Sequence, residues 1–167
     1  MLRNPFFIFL LLLVYQSINA QNQFISTSIS FNRMDYFHSL NLSKKIQKWE
    51  IGIGAGYGIN RTIFQQRFFP RLQINSGYCV FQKKKWSIEP TVSICFSWLK
   101  VNKSSKYFTN WTETLGGFTW FYGEKWAIGQ TLQLGYQFEN YHNSLTNQRQ
   151  FVGVWAYSLD LKLRYAL

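Results

Sequence analysis

Three residues near the end of the chain have the side-chain types of a nucleophile, a base and an acid. Glu139, His142 and Ser144 lie close together in the sequence. A serine becomes nucleophilic when a histidine accepts its proton and a carboxylate orients that histidine. If the three side chains meet, they would catalyse acyl transfer. The other interpretation is a polar loop, because short hydrophilic runs commonly connect strands.

The run His142-Asn143-Ser144 is similar to the H-x-S pattern of outer-membrane lipid A deacylases, whose histidine and serine act as base and nucleophile. The resemblance covers only these residues: Leu145 stands where that family has Asn, and the Glu that follows further along is absent. We therefore assign no catalytic residue and keep a lipid-modifying enzyme as the alternative. His38, the other histidine, falls on the apolar face of a predicted strand, where an interface role is expected.

The two cysteines fall on the polar face of neighbouring predicted strands. Folding these strands about Lys84 places Cys79 opposite Glu89, and Cys95 opposite Gln73. That offset is on the order of 20 Å, whereas a disulfide needs Cα atoms within ~7 Å. Two free, buried thiols are predicted. No metal-ligand spacing or phosphate-binding loop is present in the sequence, so we expect no metal and no cofactor.

The chain as a whole is one domain long, with 167 residues, a formal charge of +11 and 20% aromatic residues. So many aromatic residues exclude a disordered chain. At the start, Arg3 precedes an apolar run at 6–14 and a small residue, Ala20. This is typical of a secretory signal peptide, and the run is shorter than the ~20 residues of a transmembrane anchor. We predict a signal peptide at 1–20 and one domain at 21–167.

Alternation of apolar and polar residues is the main structural signal. Every second residue is apolar across 86–98, and the same period recurs in 49–59 and 126–138. A period of two predicts β-strands with one apolar and one polar face. The predicted strands are eight: 23–32, 36–46, 49–61, 70–82, 86–100, 108–122, 126–140 and 151–167.

The connections between these strands predict hairpins. Short ones occur at 47–48, 83–85 and 123–125, and longer polar ones at 62–69, 101–107 and 141–150. The link at 33–35 is short where a longer loop would continue the alternation, so the first hairpin is the exception. Asp35 and Glu124 are assigned to connections.

The motif K-W-x-I occurs three times, each time just after a short turn, with tryptophans at Trp49, Trp86 and Trp126. In a closed barrel these tryptophans would lie at one height on the outer surface, with lysines beyond them. Trp flanked by Lys is typical of a membrane interface, because the indole is apolar with one donor and the ammonium reaches water. The alternative is that they are core residues of a soluble barrel.

The polar face distinguishes these alternatives. It consists mostly of Gly, Ser, Thr, Gln and Asn, which suits a crowded interior better than a solvated surface. Its charged residues are Glu50, Arg71, Glu89, Glu113, Glu139, Asp160, Lys162 and Arg164. Because a buried unpaired charge is costly, we expect these carboxylates and bases to form an interior charge network. The apolar face would then face lipid.

The last strand alternates up to the C-terminus through Tyr157, Leu159, Leu161, Leu163, Tyr165 and Leu167. With the signal peptide and eight strands, the chain resembles the small eight-stranded outer-membrane β-barrel proteins of Gram-negative bacteria. Its C-terminus looks like the β-signal of that family, with Leu in place of the usual Phe or Trp. The resemblance implies an all-β, antiparallel, up-and-down transmembrane barrel in the outer membrane. It also implies contact with outer-membrane lipids, lipopolysaccharide and the barrel assembly machinery.

The expected function is a structural or loop-mediated binding role. Eight strands leave no open channel, because a barrel this narrow is filled by its own side chains. A soluble lipocalin-like carrier is a third hypothesis, after the lipid-modifying enzyme. We expect no nucleic-acid partner, because the lysines lie in turns and the signal peptide exports the chain.

Overall fold

A computed structural model describes residues 22–59, 69–99, 109–143 and 148–167. The predicted signal peptide lies outside these ranges. The strands are β1 (Gln23–Asn32), β2 (Tyr36–Ile46), β3 (Trp49–Gly58), β4 (Pro70–Tyr78), β5 (Phe81–Lys83), β6 (Trp86–Leu99), β7 (Thr109–Gly123), β8 (Trp126–Asn143) and β9 (Gln148–Ala166).

These strands form one closed antiparallel sheet. Successive strands pair in chain order, and β9 pairs back with β1, from Phe24 opposite Ala166 to Asn32 opposite Ser158. β4 and β5 both pair with β6, so they are two parts of one strand of the barrel. The predicted eight-stranded antiparallel barrel is confirmed.

A β-bulge separates β4 from β5. On one side Gly77 is opposite Thr91, but on the other Phe81 is opposite Ile88, so one strand carries an extra residue. The insertion leaves Val80 and Phe81 both exposed on the outer face. The insertion shifts the alternation by one residue, but only the three residues of β5 follow it, too few to show the shift in the sequence.

The outer face is apolar and the inner face is polar. In β6, for example, Val92, Ile94 and Phe96 are exposed, whereas Ser93 and Cys95 between them are buried. Apolar side chains that point away from the packed interior match a lipid-facing wall. Among the described residues, no helix is long and apolar enough to cross a bilayer.

The glycines of β3 let neighbouring side chains lie directly against its backbone. A Cβ added at Gly54 would overlap the Asn41 side chain, and one at Gly56 would overlap Ser39. The bare backbone leaves room for Asn41, whose Oδ1 accepts a hydrogen bond from Gln73 Nε2. Glycine is therefore used here so that side chains of β2 and β4, the strands on either side of β3, can meet over its backbone.

The first hairpin has a tight turn, held by Asn32. Its Oδ1 accepts hydrogen bonds from the backbone N–H of Met34 (2.9 Å) and Asp35 (3.0 Å). Asp35 Oδ1 in turn accepts from the N–H of Tyr36 at 2.7 Å. Asx hydrogen bonds of this kind replace a longer loop. Asp35 lies in the connection as predicted, but it is buried, because its carboxylate folds onto its own turn.

Three predicted strand ends are wrong. The third strand ends at Gly58, before 61. More importantly, the predicted loop at 141–150 is mostly strand, since β8 continues to Asn143 and β9 begins at Gln148. The polar composition of this segment suggested a loop, but the cross-strand pairing of Tyr141 with Gln150 extends the hairpin.

Candidate functional site

The barrel has two distinct ends. We call the turn end the one with the short turns at 47–48, 84–85 and 124–125, and the loop end the opposite one, with the Asn32 turn. Both strand termini that close the barrel, at Gln23 and Ala166, are at the turn end. The interior charges are divided between the two ends.

The ion pair of Arg71 and Glu113 lies in the lumen toward the loop end. Arg71 Nη2 is 2.9 Å from Glu113 Oε2, and each side chain is only 3% exposed. Asn32 Nδ2 donates to both oxygens of Glu113, at 3.4 Å each. The pair is dry, so the two charges depend on each other and on Asn32 for stabilisation.

An apolar plug closes the lumen above this ion pair. It consists of the buried Phe37, Phe69, Leu99 and Trp111, with Met34 packed against them. The Phe69 ring lies 5.0 Å from that of Phe37 and 5.1 Å from that of Trp111. The Arg71 guanidinium in turn lies 4.6 Å from the Phe37 ring, so plug and ion pair form one packed unit.

The sequence analysis missed this plug. Phe37 and Trp111 occupy polar-face positions of β2 and β7, and each lies close to the loop end of its strand. The sequence does contain a signal for the plug: near the same end of several strands, apolar residues occupy inward positions that are otherwise polar.

The middle of the lumen is filled by small polar side chains. Thr119 and Thr131 hydrogen-bond through their hydroxyls at 2.8 Å. Gln133 Nε2 donates to Ser93 Oγ at 2.9 Å. These residues are all buried and belong to β6, β7 and β8.

A second cluster lies at the turn end around Arg164. Its Nη1 is 2.8 Å from Glu50 Oε2 and 4.0 Å from Glu89 Oε1. Its guanidinium also lies 3.6 Å from the Phe121 ring and 4.6 Å from the Phe24 ring. Arg164 thus reaches from β9 to carboxylates on β3 and β6. A polar cavity of ≈ 40 Å³ adjoins it.

Of the remaining predicted network residues, Lys162 lines the cavity beside Arg164. Lys162 Nζ is 3.9 Å from Asp160 Oδ2, one inward position along the same strand. Glu139 Oε1 accepts a hydrogen bond from Gln137 Nε2 at 2.7 Å. The structure therefore pairs Glu113 with Arg71, and Arg164 with Glu50.

Of the three residues of the enzyme hypothesis, the structure describes the side chain of Glu139. His142 lies in β8, where its backbone is opposite that of Arg149. Ser144 lies outside the described residues. Glu139 is engaged with Gln137, as above. His38 lies on the outer face and hydrogen-bonds to Thr27 Oγ1 at 2.9 Å.

Both cysteines are buried free thiols. Cys95 is opposite Gln73, the pairing that the sequence predicts. Cys79 lies at the bulge, where its Sγ is 3.5 Å from the carbonyl oxygen of Phe81.

The tryptophans of the K-W-x-I motif lie on the outer surface at the turn end, and each packs against a tyrosine of the next strand. The pairs are Trp49 with Tyr78 (5.0 Å between ring centroids), Trp86 with Tyr122 (4.9 Å) and Trp126 with Tyr165 (4.6 Å). The sequence analysis did not identify the tyrosines, although each ends or begins a strand next to its tryptophan. Paired aromatic rings with half-exposed edges form part of a ring around the barrel.

The hairpin of β8 and β9 has a free backbone edge at the loop end. β9 pairs with β1 only as far as Ser158, and in the described part of the chain residues 151–157 form strand pairs with β8 alone. Arg33 Nη1 donates a hydrogen bond to the carbonyl oxygen of Trp155 at 3.5 Å. The carbonyl group of Trp155 therefore points toward this edge and not toward β8. Phe151 and Trp155 are 76% and 79% exposed.

A closed eight-stranded antiparallel barrel with an apolar outer face is the fold of small outer-membrane β-barrels. The chain is similar to the N-terminal β-barrel domain of OprF from Pseudomonas aeruginosa, with a TM-score of 0.58 and 11% identity over 87% of this chain and 98% of that one. Weaker likenesses are to two other outer-membrane proteins. One is a major outer membrane protein from Thermus thermophilus (TM-score 0.46, 7% identity, 87% and 99% covered). The other is the Yersinia pestis outer membrane protein Ail (TM-score 0.42, 11% identity, 86% and 98% covered).

No family model matches the chain, and no curated protein sequence matches it. At 11% identity the likeness to the OprF domain concerns the fold alone. Function has to be argued from the residues of this chain.

Proposed function

We propose that this protein is an outer-membrane β-barrel without an open pore, which binds an extended segment of a partner protein along the free edge of β9. The observation that carries the binding role is the edge at 151–157, which within the described residues pairs with β8 alone, together with the exposed side chains of Phe151 and Trp155.

Membrane placement is supported by the distribution of aromatic residues along β9. Tyr165 belongs to the ring at the turn end, and Tyr157 packs near Phe31 at the loop end of β1. At ~3.3 Å per residue and a strand tilt of ~40°, these two tyrosines differ in height by about 20 Å. That is close to the ~25 Å apolar band of an outer-membrane barrel. On the same scale Phe151 lies about 35 Å above Tyr165 and extends beyond the band.

The absence of a pore is supported by the contents of the lumen. The apolar plug, the Arg71–Glu113 pair and the hydrogen-bonded layer around Thr119 and Thr131 follow one another along the interior. An ion that crossed the barrel would have to displace each of them.

The free edge favours binding through backbone hydrogen bonds. In a strand, the N–H and C=O of alternate residues point to the same side, so Phe151 and Gly153 share the direction of Trp155. Unpaired groups in a row are a template for an added strand, and exposed apolar side chains beside them give contact area.

A second copy in the same membrane does not fit this edge. Two barrels related by an axis along the membrane normal present strands that descend in the same direction and cross at about twice their ~40° tilt. Such strands cannot form a ladder. The partner segment therefore comes from outside the membrane, since the short turns of outer-membrane barrels face the periplasm and the loop end faces outward.

The binding role is tested with a library of extended peptides displayed on phage, selected against the barrel in lipid nanodiscs. Phe151→Pro removes an N–H from the free edge and leaves the ladder to β8 intact, because proline is tolerated where the N–H faces solvent. Selected peptides should lose at least about tenfold in affinity for this variant. Phe151→Ala, the matched control, keeps the N–H and should lose less. Failure to select peptides, or equal binding to Phe151→Pro, contradicts the proposal.

Placement and enzymatic activity are tested separately. Cell fractionation should recover the protein in the outer membrane, and a water-soluble protein without detergent contradicts the placement. Planar bilayers containing the barrel should show no stable conductance. Micelles with lipid A should show no acyl release, whereas release abolished by His142→Ala or Ser144→Ala would favour the enzyme hypothesis.

A further inference from the structure

An amphipathic groove lies on the outer surface at the turn end. It measures ≈ 670 Å³ and is bounded by Lys85, Lys125, Tyr122, Trp126, Ile128 and Leu163. The lysines are in the turns, and the apolar residues continue the lipid-facing wall, where Ile128 is 67% exposed. Polarity therefore changes along the groove, from cationic at the turns to apolar toward the middle of the barrel.

The two lysines are held by backbone hydrogen bonds to neighbouring strands. The carbonyl oxygen of Lys85 accepts from the N–H of Gly123, and that of Lys125 from the N–H of Ala166, both at 2.9 Å. The Lys125 ammonium also lies 5.3 Å from the centre of the Tyr165 ring. Because two neighbouring hairpins are tied together in this way, the two turns keep a fixed relation to the aromatic walls, and each lysine reaches the groove from a fixed backbone position.

We propose that this groove binds a phospholipid with an anionic headgroup. The lysines provide two point charges for a phosphate, and Ile128 and Leu163 accept the start of an acyl chain. Glu124 also borders the groove, so one positive charge remains in excess. That excess favours an anionic headgroup over a zwitterionic one. The site rests on the proposed membrane placement but not on the proposed binding by β9.

The motif Lys48-Trp49 provides an internal comparison. It has the same sequence pattern and the same Trp–Tyr packing, with Tyr78, but it does not border the groove. If lysine and tryptophan alone were sufficient for lipid selection, the two places would be equivalent. The groove predicts that they are not.

The test measures the lipids retained by the barrel when it is released from nanodiscs of equal phosphatidylglycerol and phosphatidylcholine content, by native mass spectrometry. The wild-type barrel should retain phosphatidylglycerol preferentially. Near a membrane surface each lysine contributes about fivefold, so Lys85→Gln/Lys125→Gln should reduce this preference about 10- to 30-fold. The matched control, Lys44→Gln/Lys48→Gln, removes two exposed turn-end lysines outside the groove and should leave most of it.

Three outcomes overturn the inference. They are no preference in the wild-type barrel, equal losses in the two double variants, and displacement of the lipid by millimolar inorganic phosphate. The last would mean that the groove binds a free anion without the acyl chain. Circular dichroism of each variant shows whether it is folded. Cell fractionation and peptide selection test the proposed function independently of the lipid-retention measurements.

Discussion

Arg71 and Arg164 make the same two kinds of contact at opposite ends of the lumen, in different surroundings. Each guanidinium lies on an aromatic ring and close to a glutamate, at 2.9 Å for Arg71 and 2.8 Å for Arg164. Arg71 is sealed beneath the apolar plug, whereas the Arg164 side chain is 12% exposed beside a polar cavity. Nearly equal distances therefore hide a large difference in how each charge would be solvated if its partner were removed.

The dry pair should show the largest effect. Glu113→Gln leaves the Arg71 charge buried without a carboxylate and should lower the free energy of unfolding by about 3 to 5 kcal/mol. The double variant Arg71→Met/Glu113→Gln should lose less than Glu113→Gln alone. Urea unfolding in detergent or lipid measures both. Additive losses in this cycle would show that the two charges are independent.

On the lipid-facing surface between the two ends, a substitution to arginine should cost more stability the deeper it lies in the membrane. Leu132→Arg places a charge near the middle of the lipid-facing surface, because Leu132 is opposite Leu159, between the levels of Tyr165 and Tyr157, and should cost about 2 to 4 kcal/mol. Ile128→Arg, close to the Trp126 level, should cost only ~0 to 1 kcal/mol. Unfolding of the two variants in the same vesicles gives the comparison. Equal costs at the two heights would contradict an outer face buried in lipid.

The turn-end cluster should lose less than the loop-end pair. Arg164→Met leaves Glu50 and Glu89 next to a polar cavity, so water can replace part of the lost interaction. A loss of about 1.5 to 3 kcal/mol is expected, the usual range for a hydrogen bond to a charged group. The measurement is the same urea unfolding. A loss larger than that of Glu113→Gln would reverse the assignment of the dry and the hydrated end.

Added salt should change the costs of these substitutions by the smallest amount, and it should distinguish the partly exposed charges from the buried ones. Ions reach partly exposed charges but not buried ones, and the screening length falls from ~10 Å at 0.1 M to ~3 Å at 1 M. Raising NaCl over this range should reduce the cost of Arg164→Met and leave that of Glu113→Gln unchanged. Equal salt dependence of the two costs would indicate that water reaches both ends.

The sequence predicts the barrel well where alternation is regular. In β6, and in β9 from Trp155 onward, the inward and outward positions follow directly from the period of two, since each face meets a single environment. The polar positions of this alternating pattern also identify which charged residues face the lumen. They do not identify which charges pair, because Arg164 reaches Glu50 on β3 across the lumen.

The plug and the long hairpin could not be predicted in the same way. Phe37 and Trp111 are apolar residues at inward positions that are otherwise polar, so in the sequence they look like breaks in the alternating pattern. In 141–150 the residues are polar on both faces, as in a loop. Their strand structure comes from cross-strand pairs such as Tyr141 with Gln150.

The ladder between β1 and β9 determines when the barrel can close. It joins Phe24 to Ala166, nearly the full length of the described chain apart. Contacts between residues so distant in sequence form late, because a long loop must be ordered first. A nascent chain that lacks β9 would be an open sheet with two unpaired edges and an oily face, a form prone to aggregation. Completion of the last strand thus marks the step at which this chain ceases to need protection from other chains.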